Sequence, residues 1–162
     1  MTESEARKFG ARWLAAVGPK GWTPGMAVLV VPDEDDTSLT SGIATAPPSP
    51  SFVVAVDDDG VTVAWSEYPG TADGGLALRD DVPDLRDAGT RGLCLDLLRA
   101  AWGLAAQVSP WTSTASLAVS GWRFCANDAD DWTSATAASE AESLVLAAEA
   151  WAAKRGRAVL GG

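Results

Sequence analysis

The stretch that decides the fold is DLRDAGTRGLCLDLLRAAWG, residues 84–103. Its apolar residues recur as adjacent pairs at every fourth position, a spacing that places them along one side of a helix. Asp87 stands where a side chain accepts hydrogen bonds from the free amides of a first turn, and Gly103 stands where helices commonly end. The pattern therefore predicts a helix with a broad inner stripe, formed by Leu93, Cys94, Leu97, Leu98, Ala101 and Trp102.

Capping boxes predict two further helices, one near each end of the chain. Thr2 and Glu5 have the required spacing at the amino end, and Ser139 and Glu142 repeat it near the carboxyl end. In each case an apolar face with helical spacing follows the box. Residues 157–162 follow the last apolar stripe and are expected to form a frayed tail.

Strand patterns lie between the first helix and the central one. The continuous apolar run at residues 26–31 has strand length. The runs FVVAV (52–56) and VTVAW (61–65) flank a turn that ends in Asp-Gly, which is typical of a β-hairpin. The segments 33–50 and 66–81 are rich in turn-forming residues, so we expect a long acidic and Pro/Ser/Thr-containing loop in the first and a shorter loop in the second.

The remaining elements complete an α+β pattern. Residues 116–120 and 122–126 predict paired or continuous strands around Gly121, and residues 104–108 predict a short helical turn before them. Short strands joined by hairpins favour an antiparallel sheet over a doubly wound one. We therefore expect one domain over residues 1–162, with a mostly antiparallel sheet of about four or five strands and about three helices packed on one face.

The composition is that of a folded, water-soluble domain. The chain has 162 residues, of which 47% are hydrophobic and 21% charged. This balance is typical of globular proteins and is far from that of disordered segments. No apolar run is long enough to span a bilayer, and the first residues do not resemble a signal peptide. We expect a cytoplasmic protein that does not associate with membranes.

Negative charge is concentrated in one third of the chain. The net charge is −10, and the segment from Gly21 to Leu78 contains nine acidic residues and no Lys or Arg. Such a field repels nucleic acid and attracts a basic protein. The alternative is that the acidic turns only keep the domain soluble. The acidic candidates for partner binding are Asp33, Glu34, Asp35, Asp36, Asp57, Asp58, Asp59 and Glu67.

The residue inventory excludes several classes of chemistry. The chain has no His, which removes the most common general base near neutral pH and the most common zinc ligand. No phosphate-binding or dinucleotide-binding glycine motif occurs. The acidic clusters offer oxygens to a divalent metal but lack a calcium-loop pattern, so solvated turns are the favoured explanation. We expect no catalytic residues, no metal and no cofactor. Cys94 and Cys125 are expected to be unpaired core residues.

Three of the eight tryptophans fall in predicted loops. These are Trp22, Trp111 and Trp132. An aromatic ring beside acidic loops is a candidate hot spot for a basic protein partner. The alternative is that each ring fastens its loop to the core. Both interpretations stay open at this point.

Parts of the chain resemble a group of small uncharacterised phage and prophage proteins. The matching stretches are WTPGM (22–26), VPDLRDAGTRGLCLDLLRAAWG (82–103) and SEAESLVLAAE (139–149). In that group a Pro-Asp-Leu helix start with Gly-Cys-Leu precedes a Thr-Glu-Ala-Glu-Ala-Leu-Val helix. Here Leu93 separates Gly92 from Cys94, and Ser139 replaces the Thr. The resemblance implies a viral or mobile-element origin and implies no activity.

Three functions are consistent with these features. The first is a non-catalytic phage or mobile-element accessory protein that binds a host protein, for example to inhibit a nucleic-acid-binding or defence complex through an acidic surface. The second is a virion structural or assembly protein that acts by self-association, which leaves a homo-oligomer open. The third is an enzyme that uses carboxylates or a metal. The charge distribution favours the first.

Overall fold

The computed structural model describes residues 1–30, 51–57, 60–68, 71–76, 80–112, 119–126 and 132–160. Within these ranges the helices are α1 (Glu3–Val17), α2 (Ala88–Trp102) and α3 (Glu140–Leu160), and a short 3-10 turn, Pro19–Gly21, follows α1. The strands are β1 (Ala27–Leu29), β2 (Ser51–Val56), β3 (Val61–Tyr68), β4 (Thr71–Leu76), β5 (Val82–Pro83), β6 (Gln107–Thr112), β7 (Val119–Ala126) and β8 (Trp132–Thr133).

Helix α1 begins at the predicted capping box. The side-chain oxygen of Thr2 accepts a hydrogen bond from the backbone N–H of Glu5, and the Glu5 carboxylate accepts one from the backbone N–H of Thr2 at 2.7 Å. This second bond stabilises the carboxylate and lowers the pKa of Glu5. The helix ends at Gly18, whose φ of +76° is a conformation that glycine adopts without strain. The predicted helix is confirmed.

Helix α2 is linked to β1 by hydrogen bonds through Thr90 in its first turn. The Asp87 carboxylate accepts hydrogen bonds from the backbone N–H of Thr90 at 2.6 Å and from its hydroxyl at 2.9 Å. The same hydroxyl accepts a bond from the backbone N–H of Ala27 at 2.8 Å. Thr90 is fully buried, so this small network satisfies polar groups that water does not reach.

The larger sheet has five antiparallel strands in the order β4-β3-β2-β1-β5. The predicted hairpin is confirmed, with Val56 paired to Val61 across the turn. Strand β1 lies inside the sheet and all three of its residues are buried. Val28 packs in the main core, whereas Leu29 belongs to a smaller cluster with Ala6 and Val82. Both faces of the sheet are therefore covered at β1.

The smaller sheet has the order β6-β7-β8 and is also antiparallel. Strand β7 runs continuously through Gly121. The Trp122 backbone exchanges two hydrogen bonds with Ala137, at 2.9 Å and 2.8 Å. A Cβ on Gly121 would stand 2.7 Å from the Ala137 carbonyl oxygen, so a glycine is needed where the two chain segments approach.

An aromatic cluster joins this smaller sheet to the helices. Trp102 at the end of α2 stacks on Trp132, with ring centroids 5.0 Å apart and planes 12° apart. Phe124 of β7 packs against both rings in a tilted geometry. Cys94, Leu98 and Trp102, which belong to the predicted inner stripe of α2, are buried, and the stripe forms part of the main core.

The α+β class with three helices is confirmed, and the arrangement of the sheets is the main difference from the expectation. Instead of one sheet of four or five strands, the strands divide into a five-stranded and a three-stranded sheet. Helix α1 contacts β5 of the larger sheet, and α3 contacts β6 and β7 of the smaller one. Helix α2 contacts β6 of the smaller sheet and is also hydrogen-bonded to β1 of the larger sheet through Thr90.

Three local expectations are corrected. The segment 66–81, expected as a loop, contains the end of β3 and all of β4, whose backbones pair with each other. Residues 107–112, expected as a helical turn and a loop, form β6. The tail expected at residues 157–162 is helical as far as Leu160, because α3 continues through Gly156. A single helical glycine costs only about 1 kcal/mol and need not end a helix. Gly161 and Gly162 lie outside the described residues, as does the predicted loop at 33–50.

Candidate protein-binding surface

Strand β2 exposes three large apolar side chains. Phe52, Val54 and Val56 are 37%, 52% and 39% exposed, whereas Val53 between them is buried in the core. The pairing with β3 shifts register between Val53 and Ala55, so Val56, which pairs with Val61, lies on the sheet face of Val53 and not on that of Phe52. Single exposed apolar residues are common on protein surfaces, but three within five residues of one strand concentrate exposed apolar surface at β2. We call Phe52, Val54 and Val56 the β2 row.

The strand register explains why Phe52, the first residue of the row, is exposed. Phe52 pairs with Ala27 of β1, and Leu29 of β1 pairs with Val82 of β5. Paired residues in antiparallel strands share a face, and so do residues two apart on one strand. Phe52, Ala27, Leu29 and Val82 therefore lie on the same face of the sheet. Ala6 of α1 covers that face at Leu29 and Val82, and the face becomes exposed one strand farther along, at β2.

Gly10 allows α1 to pack closely against β5. Gly10 is buried, and a Cβ at this position would stand 2.5 Å from the Pro83 carbonyl oxygen and 2.9 Å from the Val82 Cβ. Only a residue without a side chain permits this approach of helix and strand backbones. The close contact centres α1 on the β5 edge of the sheet, away from the β2 row.

The β2 row lies within the acidic segment of the chain. Strands β1 to β4 all lie in the segment from Gly21 to Leu78, which has no basic residue. Asp57 directly follows the row, and its carboxylate accepts a hydrogen bond from the backbone N–H of Gly60 at 2.8 Å. Asp57 thus stabilises the hairpin turn and also adds negative charge at the end of the row.

Five arginines outside this segment form ion pairs in the described part of the chain. Arg12 of α1 forms a bidentate pair with Glu149 of α3, both contacts being 2.8 Å, and this pair raises the pKa of Arg12. The described ion pairs are Arg7 with Glu3, Arg12 with Glu149, Arg86 with Asp84, Arg91 with Glu140, and Arg99 with Asp96. Positive and negative charges balance there, so the acidic excess stays with the strands.

Two of the three candidate tryptophans pack against the core. Trp22 is 8% exposed and belongs to the main core, and Trp132 stacks on Trp102. Both rings fasten their segments to the core, which was the alternative explanation. Trp111 is 36% exposed on β6, with the Arg123 guanidinium 4.5 Å from its ring centroid. It belongs to the smaller sheet and not to the one that carries the β2 row.

The structure describes only some of the acidic candidates. Asp57 is described, and Glu67 belongs to β3, although its side chain lies outside the description. The other candidates lie outside the described residues: Asp33, Glu34, Asp35, Asp36, Asp58 and Asp59. Asp57 directly follows β2 and Glu67 lies in β3, so both belong to the hairpin that carries the β2 row.

Neither a metal cluster nor a membrane-spanning helix is found in the ranges that the structure describes. No group of three or more Cys, Asp or Glu residues there could hold a metal ion. No helix there is both long and apolar enough to cross a bilayer. The two cysteines are free, and burial raises the pKa of the Cys94 thiol to about 12, which makes it a poor nucleophile at neutral pH.

Comparison with known proteins adds no assignment. A scan against protein-family models found no match, and searches of curated proteins and of solved structures found none either.

The β2 row was not among the residues predicted from the sequence to bind a partner. The run FVVAV is apolar throughout, so it carries no alternation that would tell an exposed side from a buried one. The signal that identifies it is the strand register, which is available only from the structure.

Proposed function

We propose that this protein is a non-catalytic binding protein, and that its partner is a basic protein that docks on the β2 row and the acidic strands around it. The single observation that carries the proposal is the coincidence of an exposed apolar row with the segment that holds nearly all the net charge. Apolar contacts supply affinity at the centre of an interface, and charge supplies rate and selectivity around it.

The charge distribution supports a protein partner over nucleic acid. Phosphate backbones are bound by Lys and Arg, and none occurs between Gly21 and Leu78. A basic protein is attracted by the same field. The resemblance at residues 82–103 and 139–149 is the basis for extending the proposal to a phage or mobile-element accessory protein that occupies a host protein in the cytoplasm.

The electrostatic part of the proposal is tested by reversing charge. A partner is first captured from bacterial lysate and purified, and its association rate is then measured at several salt concentrations. Reversal of Asp33, Glu34, Asp35 and Asp36 to Lys should slow association on the order of tenfold at low salt and flatten the salt dependence. Asp96→Lys, on the exposed side of α2, is the control and should have little effect. An unchanged rate in the fourfold variant would refute the electrostatic steering.

Self-association is the second candidate function, and the same apolar row favours it. A second copy would cover Phe52, Val54 and Val56 but would also bring two acidic segments together, and like charges at an interface oppose association. Light scattering at increasing salt separates the two candidates. A dimer that strengthens as salt screens the repulsion supports self-association, whereas a monomer throughout supports the basic partner.

A further inference from the structure

A pocket of about 190 Å³ lies at the junction of the three helices and the turn after α1. It is separate from the β2 row, because none of its walls belongs to the larger sheet. Its lining residues are Trp13, Val17, Lys20, Leu97, Leu98, Ala100, Ala101 and Trp151. All but Lys20 are apolar, so the interior favours an apolar ligand.

The walls of the pocket are held in place without a ligand. Trp13 is fully buried, and its indole N–H donates a hydrogen bond to the Gly21 carbonyl oxygen at 2.9 Å. A Cβ on Gly21 would stand 2.9 Å from that indole nitrogen, so the turn fits closely against the ring. Leu98, which also lines the pocket, is buried in the core. A ligand would enter a site that is already formed, which reduces the entropic cost of binding.

Lys20 places a positive charge at this pocket. It lies in the exposed turn Pro19–Gly21, and no carboxylate among the described residues forms an ion pair with it. The Arg155 guanidinium lies 4.7 Å from the ring centroid of Trp151, another wall residue, and adds a second positive charge nearby. The ammonium group of Lys20 is thus available to an anionic ligand.

None of the lining residues is acidic. All lining residues lie outside the range from Gly21 to Leu78, in the part of the chain where basic and acidic residues nearly balance. An anion at the pocket therefore meets the charge of Lys20 without a carboxylate in the lining to repel it. The pocket also suits an anion better than a cation, which the same ammonium group would repel.

The volume limits the apolar part of the ligand to about one ring. An engineered apolar cavity of about 150 Å³ holds a benzene molecule. The space here is slightly larger, and two indole rings contribute to its walls. We propose that this pocket binds a small carboxylic acid whose apolar part is about the size of a single aromatic ring, with the carboxylate paired to Lys20.

The test compares three probes that share a phenyl ring and differ in the charge and chemistry of the head group. The full chain, labelled with ¹⁵N, is titrated with 3-phenylpropionate, 3-phenylpropanol and 3-phenylpropylamine, and the amide and indole resonances are followed. We expect saturable shifts at the Trp13 and Trp151 indoles and at the Gly21 amide. The carboxylate should bind about three- to fivefold more tightly than the alcohol at low salt, the range of an exposed ion pair, and the amine should bind most weakly.

Variants separate the pocket from nonspecific binding. Lys20→Met should abolish the preference for the carboxylate, whereas Lys20→Arg should retain it. Lys8→Met, which removes a charge elsewhere on α1, is the matched control and should leave it unchanged. Ala100→Trp places a large side chain at an exposed wall residue and should weaken all three probes. Equal affinities for carboxylate and alcohol in the native protein, shifts away from the pocket, or shifts that survive Ala100→Trp would each overturn the proposal.

Discussion

Phe52 lies directly opposite Ala27 in the antiparallel pairing of β1 and β2, yet Ala27 is 8% exposed and Phe52 is 37% exposed. The two side chains share one face of the sheet, so the difference arises from what covers that face. Helix α1 covers it at β5 and β1 and leaves it open at β2. The exposure of Phe52 is therefore set by the position of one helix.

The close contact at Gly10 should be essential for the position of α1 on the sheet. In Gly10→Ala, the new Cβ would meet the backbone oxygen of Pro83 at 2.5 Å. Alanine favours a helix by about 1 kcal/mol over glycine, but overpacking against a backbone atom costs about 1–3 kcal/mol. We expect a net loss of up to about 2 kcal/mol in the free energy of unfolding, measured by urea denaturation.

Gly92→Ala is the matched control for this substitution. Gly92 is an exposed residue inside α2, and a Cβ there would meet nothing within 4 Å. The helix-propensity gain should appear alone, as stabilisation by about 0.5–1 kcal/mol. Equal effects of the two substitutions would contradict the close approach of α1 to β5.

Removal of the hydroxyl should have different effects on stability at two buried serines, Ser143 and Ser134. Ser143 is fully buried in α3, and its hydroxyl has no hydrogen-bond partner among the described residues. Ser143→Ala should leave stability unchanged or raise it by about 1 kcal/mol, because no bond is lost.

Ser134 provides the comparison for Ser143. Its hydroxyl accepts a bond from the Phe124 backbone N–H at 3.0 Å and donates one to the Ala135 carbonyl at 2.9 Å. Ser134→Ala should cost about 1–3 kcal/mol, since it leaves a buried N–H unsatisfied. Thermal or urea unfolding of both variants measures the contrast, and a loss of stability in Ser143→Ala would indicate a hydrogen bond at that hydroxyl.

Cys94 should be unreactive in the folded protein. Its side chain is fully buried, and burial raises the pKa of its thiol to about 12, so almost no thiolate exists at pH 8. In Cys125→Ser, which leaves Cys94 as the one thiol, a disulfide reagent should label nothing in native buffer at pH 8 and one equivalent in urea. Rapid labelling without denaturant would show that α2 does not pack as described.

The elements predicted most reliably from the sequence are those that depend on neighbouring residues. The capping box of α1, the apolar stripe of α2 and the β2–β3 hairpin are each specified within about 15 residues, and all three are confirmed. Strand β4 was missed because its Gly- and Asp-containing sequence has little intrinsic strand preference. Its strand conformation depends on pairing with β3.

Features set by long-range packing could not be predicted from local pattern. The packing of Trp22 and Trp132 against the core depends on residues far away in the sequence, so their local sequence could not distinguish a core contact from an exposed ring. The exposure of Phe52 depends on where α1 ends its coverage of the sheet. In contrast, the charge segregation between strands and helices is visible in the sequence itself.

The β2 row is expected to bind the partner. The most direct test is to measure the dissociation constant of the captured basic protein for two matched variants. One carries Phe52→Ser and Val54→Thr in the row. The other carries Leu104→Ser and Val119→Thr, which remove apolar side chains elsewhere that are even more exposed. Urea denaturation verifies that both variants are folded. We predict that the row variant binds about tenfold more weakly or worse, and that the control binds within about twofold of the native protein. Equal affinities for the two variants would contradict the account.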